Sequence, residues 1–290
     1  MATPETRYCY RHPDRPTNLS CSEYGRPICT DCMVPAAVGL RCPDHAGARR
    51  RAGNVAARRP SVARAERRLG STQALVTKIL IAVNVAIYLV TAVQGAGLNN
   101  PGGSLYTKWI LFGPWVAGGG WYRLVTAMFL HGFILHIAFN MLALWWIGAP
   151  VEEYLGRTRF LGLYFVSGLA GSAGALLQAP TTPVVGASGA IFGILGAMLI
   201  LEYQATGSLA GQAMTWIVIN LVISFTFSNV SWGGHVGGLV GGILVTLAYA
   251  GWKERGRAAY GHLGLVGVLG LVLVAVGSVA IAYWRVRGYA

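Results

Sequence analysis

The chain has 290 residues, of which 54% are hydrophobic and only 11% charged, with a mean hydropathy of +0.51 and a formal net charge of +13. Soluble domains of that size carry about 25% charged residues, so the composition excludes a soluble globular enzyme and describes a protein that crosses a membrane several times. All five cysteines, all three aspartates and most of the arginines lie in the first ~75 residues, where no apolar run approaches the ~20 residues that a spanning helix needs. The chain therefore has two regions of different chemistry, and no early apolar stretch of the signal-peptide kind opens it.

In the first region, Cys9-x2-His12, Cys21, Cys29-x2-Cys32 and Cys42-x2-His45 place three two-residue Cys/His gaps within 37 residues. Such spacing suits zinc. Seven ligands serve one full tetrahedral site and most of another, so one or two structural zinc ions are expected. The stretch resembles the cross-braced RING and B-box-like fingers. That resemblance implies a first site of Cys9, His12, Cys29 and Cys32 and a second of Cys21, Cys42 and His45, with Tyr24 where a fourth ligand is expected and Asp44 or Glu23 as substitutes. A segment of ~45 residues buries too little core to fold unaided, so the metal would hold it together.

A basic run follows: Arg49, Arg50, Arg51, Arg58, Arg59, Arg64, Arg67, Arg68 and Lys78, opposed by Glu66 alone. Lying against the first apolar segment, it reads as a topogenic, lipid-attracting stretch and not as a nucleic-acid site. The positive-inside rule puts it and the head in the cytoplasm, where reduced cysteines are the rule. Seven apolar windows then follow, at residues 74–94, 124–147, 160–178, 188–203, 212–228, 235–252 and 262–284, the fourth and fifth of them short. Alternation puts the Arg157/Arg159 and Lys253/Arg255/Arg257 loops inside as well, while Arg285 and Arg287 fall outside. His262 reads as an interfacial residue.

With that topology the fourth and sixth windows begin at the outer face, at Ser188 and His235, and His136 lies near the outer end of the second. Gly189, Gly193 and Ala197 line one face of the fourth, and Gly234, Gly238 and Gly242 one face of the sixth, so the two helices can pack closely enough for the serine to reach the imidazole. His136 and Asn140, four apart on the second window, are uncharged donors suited to an oxyanion. No aspartate occurs beyond Asp44, and Glu152, Glu153, Glu202 and Glu254 all fall at inner ends. The chemistry would therefore run on a serine–histidine dyad, with the Phe192 ring, one turn after Ser188, packing on His235. A metal site of His131, His136 and His235 lacks a carboxylate or thiolate partner, and no inverted repeat suggests a transporter.

These residues resemble the rhomboid intramembrane serine proteases over residues 78–252. The matching motifs are Trp121-Tyr122-Arg123, His131 with His136-Ile137-Ala138-Phe139-Asn140, Gly186-Ala187-Ser188-Gly189, and His235 followed by paired glycines. The resemblance implies Ser188 as nucleophile and His235 as general base. It implies an oxyanion hole of His136, Asn140 and the Ser188 backbone N–H, with His131, Phe192 and Arg123 in support. Phe192 stands where the family often has tyrosine, keeping a ring and losing a hydroxyl. Residues 95–120 resemble the family's membrane-embedded outer loop, in which Trp121 and Arg123 play a structural part.

The expected fold is thus an all-α polytopic membrane protein: a cytoplasmic zinc-binding domain (1–48), a basic linker (49–73), a six-helix rhomboid bundle (74–260), and a seventh helix with its tail (261–290). The expected activity is cleavage of transmembrane segments of single-span substrates in a bacterial cytoplasmic membrane, with no catalytic cofactor and no nucleic acid. The zinc-binding head is a candidate contact for a cytoplasmic protein partner. An inactive rhomboid-like protein that binds membrane clients is the alternative.

Overall fold

The computed structural model describes residues 6–22, 25–35, 40–44, 74–227, 229–250 and 264–289. Tyr24, Glu23, His45, Glu254, His262 and the Lys253/Arg255/Arg257 loop lie outside them. The chain divides into two compact units, Met1–Glu66 and Arg67–Ala290. The first is built of two short antiparallel pairs, β1 (Tyr8–Cys9) with β2 (His12–Pro16) and β3 (Val34–Pro35) with β4 (Leu40–Arg41). Its buried cluster is little more than Ile28 and the five cysteines.

The second unit is all helix: α1 (Leu75–Gln94), α2 (Gly103–Trp109), α3 (Gly113–Ala117), α4 (Arg123–Thr126), α5 (Ile134–Ala143), α6 (Ala149–Leu155), α7 (Arg157–Gln178), α8 (Ser188–Thr206), α9 (Gln212–Thr226), α10 (Trp232–Tyr249) and α11 (Leu265–Val286). Among the described residues, six helices are long and apolar enough to cross a membrane, and α9, with 15 residues, is a shorter apolar one. This is a multi-pass membrane protein. In lipid every backbone polar group must be satisfied within the segment, which makes helices even of β-branched runs such as α1.

The second window begins ten residues later than hydropathy suggests. Its first part is α4 and a 3₁₀ turn, Ala127–Phe129, and the spanning helix runs from Ile134 to Leu155. Leu130 and Phe133 are extended. Residues 130–133 (Leu-His-Gly-Phe) sit between apolar runs, so a hydropathy window cannot see the break. Within this span a π-helical turn, Leu144–Gly148, joins α5 to α6 just ahead of Pro150. Proline has no N–H and crowds the preceding turn, and the wider turn makes room for it. The fourth span is longer than expected, 19 residues, ending at Gly207 with φ +73.

The helix α7 is the centre of the bundle, two-thirds buried over its apolar window (67%), whereas α11 is only 17% buried and faces lipid. Glycines weld α7, α8 and α10 together. A Cβ on Gly238 would overlap the Gly189 carbonyl and one on Gly242 the Gly193 carbonyl, while one on Gly196 would stand 2.7 Å from the Leu239 oxygen. On α7, a Cβ at Gly171 would lie 3.0 Å from both the Gly189 Cα and the Gly234 oxygen. The expected faces are therefore used, with Gly196 making the third close approach on α8, and α7 joins them as a third helix. Apolar tails cannot supply a driving force for this contact in lipid, so backbone proximity itself is the stabilising term.

Gly242→Val should lower the thermal unfolding temperature in detergent, with a cost above the ~1–3 kcal/mol of ordinary overpacking because the clash is with backbone. Gly264→Ala, where nothing lies within 4 Å, should leave it unchanged.

Candidate active site

Ser188 is the first residue of α8, and His235 lies in the first turn of α10. The N-terminus of α10 is held by Gln178 at the end of α7, whose Oε1 accepts from the Gly233 N–H (2.7 Å) and the Ser231 hydroxyl (3.2 Å). Ser231 is the N-cap and accepts from the Gly234 N–H at 3.2 Å, a usual partner for an orphan helix donor. With the glycine seam below and this cap above, Ser188 Oγ and His235 Nε2 stand 2.8 Å apart. The Phe192 ring stacks on the imidazole at 4.2 Å and 16°. Glu202 is about 21 Å along α8 from Ser188 and accepts instead from the Ala213 N–H at 3.0 Å.

Residues 179–187, which lead into Ser188, are tied down by backbone bonds. Leu111 and Val184 exchange a pair at 3.1 and 2.9 Å, the Gly113 N–H donates to the Pro180 oxygen at 2.8 Å, and the Gly186 N–H to the Ala127 oxygen at 3.0 Å. Gly186 has φ +131, and a Cβ there would sit 2.8 Å from His136 Nε2 and 3.7 Å from Ser188 Oγ. Both conditions demand glycine. The space in front of Gly186 is therefore flanked by the serine hydroxyl on one side and the His136 ring on the other.

The Gly132 N–H points at His136 Nδ1 (3.4 Å), which makes Nδ1 the acceptor and leaves the ring proton on Nε2, facing that space. Asn140 is buried on the same face and donates one amide hydrogen to the His136 oxygen at 2.9 Å. His131 precedes the helix, fully buried, with its ring edge-on to His136 at 5.0 Å. Arg123 acts at longer range. Its Nη1 donates to the Thr107 and Ile110 oxygens (2.8 and 3.0 Å) and its guanidinium lies 4.7 Å from the Trp115 ring, so it staples α2 and α3 onto α4. Trp121 packs on Tyr283 of α11, 6.0 Å between centroids.

One contact escaped the sequence reading. Ser224, near the end of α9 and buried, has its Oγ 2.6 Å from His235 Nδ1 and donates to the Asn220 oxygen, also at 2.6 Å. Alternation held the clue, since a span that runs antiparallel to α8 and α10 carries its last turn to the level at which Ser188 and His235 begin.

In the head, His12 Nδ1 stands 3.7, 3.3 and 3.4 Å from the Sγ atoms of Cys9, Cys29 and Cys32. A tetrahedral zinc with sulfur at ~2.3 Å and nitrogen at ~2.05 Å puts S and N about 3.6 Å apart, so these four residues fit such an ion. Among the described residues they are the group that offers a metal its ligand atoms, all within 4.8 Å of one another. His131, His136 and His235 are not such a group. Burial opposes ionisation of Cys9, but the backbone N–H groups of Arg11 and Cys29 and the His12 ring outweigh it and bring the thiol down to about 6. Cys29 is lowered too, burial being overcome by the N–H groups of Asp31 and Cys32. Burial, with the neighbouring Cys29 and Cys9, pushes Cys32 up to about 11.

No disulfide joins any of the cysteines. Cys21 and Cys42 do come together, the Cys42 N–H donating to Cys21 Sγ at 3.2 Å. Asp44 is not spare for their site. It accepts from Tyr10 at 2.7 Å and pairs with Arg11 and Arg26, and the Tyr10 bond, with burial opposing it, holds its carboxyl below the usual range.

Fold and site together define a multi-pass membrane protein with a serine and a histidine paired at the mouths of two glycine-welded helices. The family model for the Rhomboid domain matches residues 118–252. The chain is similar to the rhomboid protease GluP of Bacillus subtilis, 36% identical over 205 residues, covering 69% of this chain and 39% of that protein. It is also similar to YdcA of the same organism, likewise named a rhomboid, with 37% identity over 146 residues, 48% of this chain and 73% of YdcA. RHOMBOID-like protein 5 of Arabidopsis thaliana is 37% identical over 158 residues, 51% of this chain and 48% of that one. The chain belongs to the rhomboid family. It spans about two-fifths of the length of GluP.

In ¹⁵N spectra of histidine-labelled protein, His136 should appear as the neutral Nε2–H tautomer. An Nδ1–H signal for His136 would contradict its assignment as a donor toward Gly186.

Proposed function

We propose that the protein is an intramembrane serine endopeptidase that cuts transmembrane segments of membrane proteins through a Ser188–His235 dyad. The observation that carries this reading is the 2.8 Å contact between Ser188 Oγ and His235 Nε2 under the stacked Phe192 ring, in a family whose relative GluP is named a protease. Ser188 attacks the scissile carbonyl carbon while His235 Nε2 takes its proton. The negative charge that develops on the carbonyl oxygen falls in the space before Gly186, where the His136 Nε2–H, the Asn140 amide and the Ser188 N–H supply donors. His235 then protonates the leaving amine nitrogen as the C–N bond breaks. A water activated by the same imidazole hydrolyses the acyl ester and returns the proton to Ser188.

The basic residues before α1 support a cytoplasmic head and a site near the outer face of the cell membrane, and the bundle supports single-span proteins as substrates. The head would hold one structural zinc through Cys9, His12, Cys29 and Cys32. The ion would cross-link a segment with almost no apolar core, and it takes no part in the hydrolysis.

In proteoliposomes with a panel of single-span substrates, wild-type protein should cleave, and Ser188→Ala and His235→Ala should each lose at least about 10³-fold in rate. Equal turnover by wild type and Ser188→Ala would remove the Ser188 protease reading, and no cleavage by wild type across the panel would favour a client-binding protein. Metal analysis of the full-length protein in detergent should find close to one zinc per chain in wild type and Cys21→Ser and almost none in Cys29→Ser. Retention of zinc by Cys29→Ser would place the ion elsewhere.

A further inference from the structure

We propose that Ser224 is a positioning residue that fixes the tautomer and orientation of His235, an inference that rests on the dyad reading above. Serines inside membrane helices commonly bond back to the carbonyl four residues earlier. Ser278 does only that, donating to the Val274 oxygen at 2.7 Å. Ser224 makes the same back-bond to Asn220 and also meets His235 Nδ1 at 2.6 Å. A hydroxyl has one hydrogen. With that hydrogen on the Asn220 carbonyl, Ser224 Oγ can only accept, so Nδ1 must carry the ring proton and Nε2 is left with a lone pair aimed at Ser188, 2.8 Å away.

The proton relay is then set in one direction. Nδ1–H donates to Ser224 Oγ throughout, Nε2 receives the Ser188 proton during attack, and the same Nε2–H is delivered to the leaving amine. Nδ1 never gives up its proton, so Ser224 undergoes no chemistry of its own. It fills, with a neutral oxygen, the place that an orienting carboxylate takes in a three-residue site. A neutral acceptor suits a buried position where an unpaired carboxylate would be costly.

The location supports a role beyond packing. The helix α9 is mostly exposed along its length, with Ala213, Ile217 and Ser224 its only buried residues, and Ser224 is 2% exposed. Its one buried hydroxyl is the one on the histidine. Phe192 stacks on a face of the ring, whereas Ser224 holds its edge, so the two restrain different motions.

The test compares wild type with Ser224→Ala, Ser224→Cys, Ser224→Thr and the control Ser278→Ala. The readouts are the rate of Ser188 labelling by a soluble fluorophosphonate probe and kcat and KM on a single-span substrate, with thermal unfolding measured for each. Ser224→Ala and Ser224→Cys should label and turn over about tenfold more slowly with KM unchanged, Ser224→Thr should recover most of the loss, and Ser278→Ala should match wild type. Labelling of Ser224→Ala within twofold of wild type overturns the proposal alone. A uniform loss in Ala, Cys and Thr variants that follows lowered unfolding temperature also overturns it, since that is packing. A wild type that neither labels nor cleaves overturns the dyad reading and this inference with it.

Discussion

Everything at the site depends on backbone contact between α7, α8 and α10. A serine side chain is short, and for its hydroxyl to meet an imidazole on another helix the two helix axes must come closer than any side chain larger than hydrogen allows. Gly171, Gly189, Gly193, Gly196, Gly238 and Gly242 provide that approach, each at a place where a Cβ would stand no more than 3.3 Å from a neighbour's main chain. In water such contacts would waste apolar surface; in lipid they are among the few forces that hold helices in register. The polar groups sit at the end of the seam, where Gln178 and Ser231 satisfy the open donors of α10. Geometry at the reacting atoms is thus inherited from packing several turns below.

Much of this was legible in the sequence, because its signals are composition, charge and spacing. The apolar windows gave every long helix, and the glycine spacing on α8 and α10 gave the seam. Four-residue steps put His136 beside Asn140 and Phe192 one turn beyond Ser188, within reach of His235. What escaped had no such signature. The break at residues 130–133, where Leu130 and Phe133 are extended, lies inside a run that a hydropathy window takes as continuous. The involvement of α7 through Gly171 and Gly174 is a property of three helices at once. Ser224 is an ordinary residue type in an ordinary place, and only the third dimension brings its oxygen to the second nitrogen of His235. In the head, the resemblance to cross-braced fingers implied the first ligand set, but the engagement of Asp44 by Tyr10, Arg11 and Arg26 comes from residues far from it in sequence.

The two units solve the problem of a small core in opposite ways. The head has almost no apolar interior and gathers three thiols and an imidazole at the separation a tetrahedral ion needs. The membrane unit has apolar surface in excess, and its specificity comes from polar side chains that find partners, among them Ser172 donating to the Leu124 oxygen at 2.7 Å, Gln178 at the mouth of α10, and Arg123 on the carbonyls of Thr107 and Ile110.

The carboxylate of Glu152 has a consequence for the order in which the molecule is made. Its two oxygens accept from the N–H groups of Val76 and Thr77 and from the Thr77 hydroxyl at 2.7 to 2.9 Å, closing the start of α1, which has no side-chain cap of its own. Synthesis runs from the N-terminus, so α1 leaves the ribosome some 75 residues before this partner exists. Its leading donors stay with water or lipid headgroups until α6 arrives. Glu202, by contrast, already stands ready when α9 begins at Gln212, eleven residues from the N–H it accepts. Of the two, the first helix waits far longer for the partner that seals its end, and the completed α5–α6 segment supplies it.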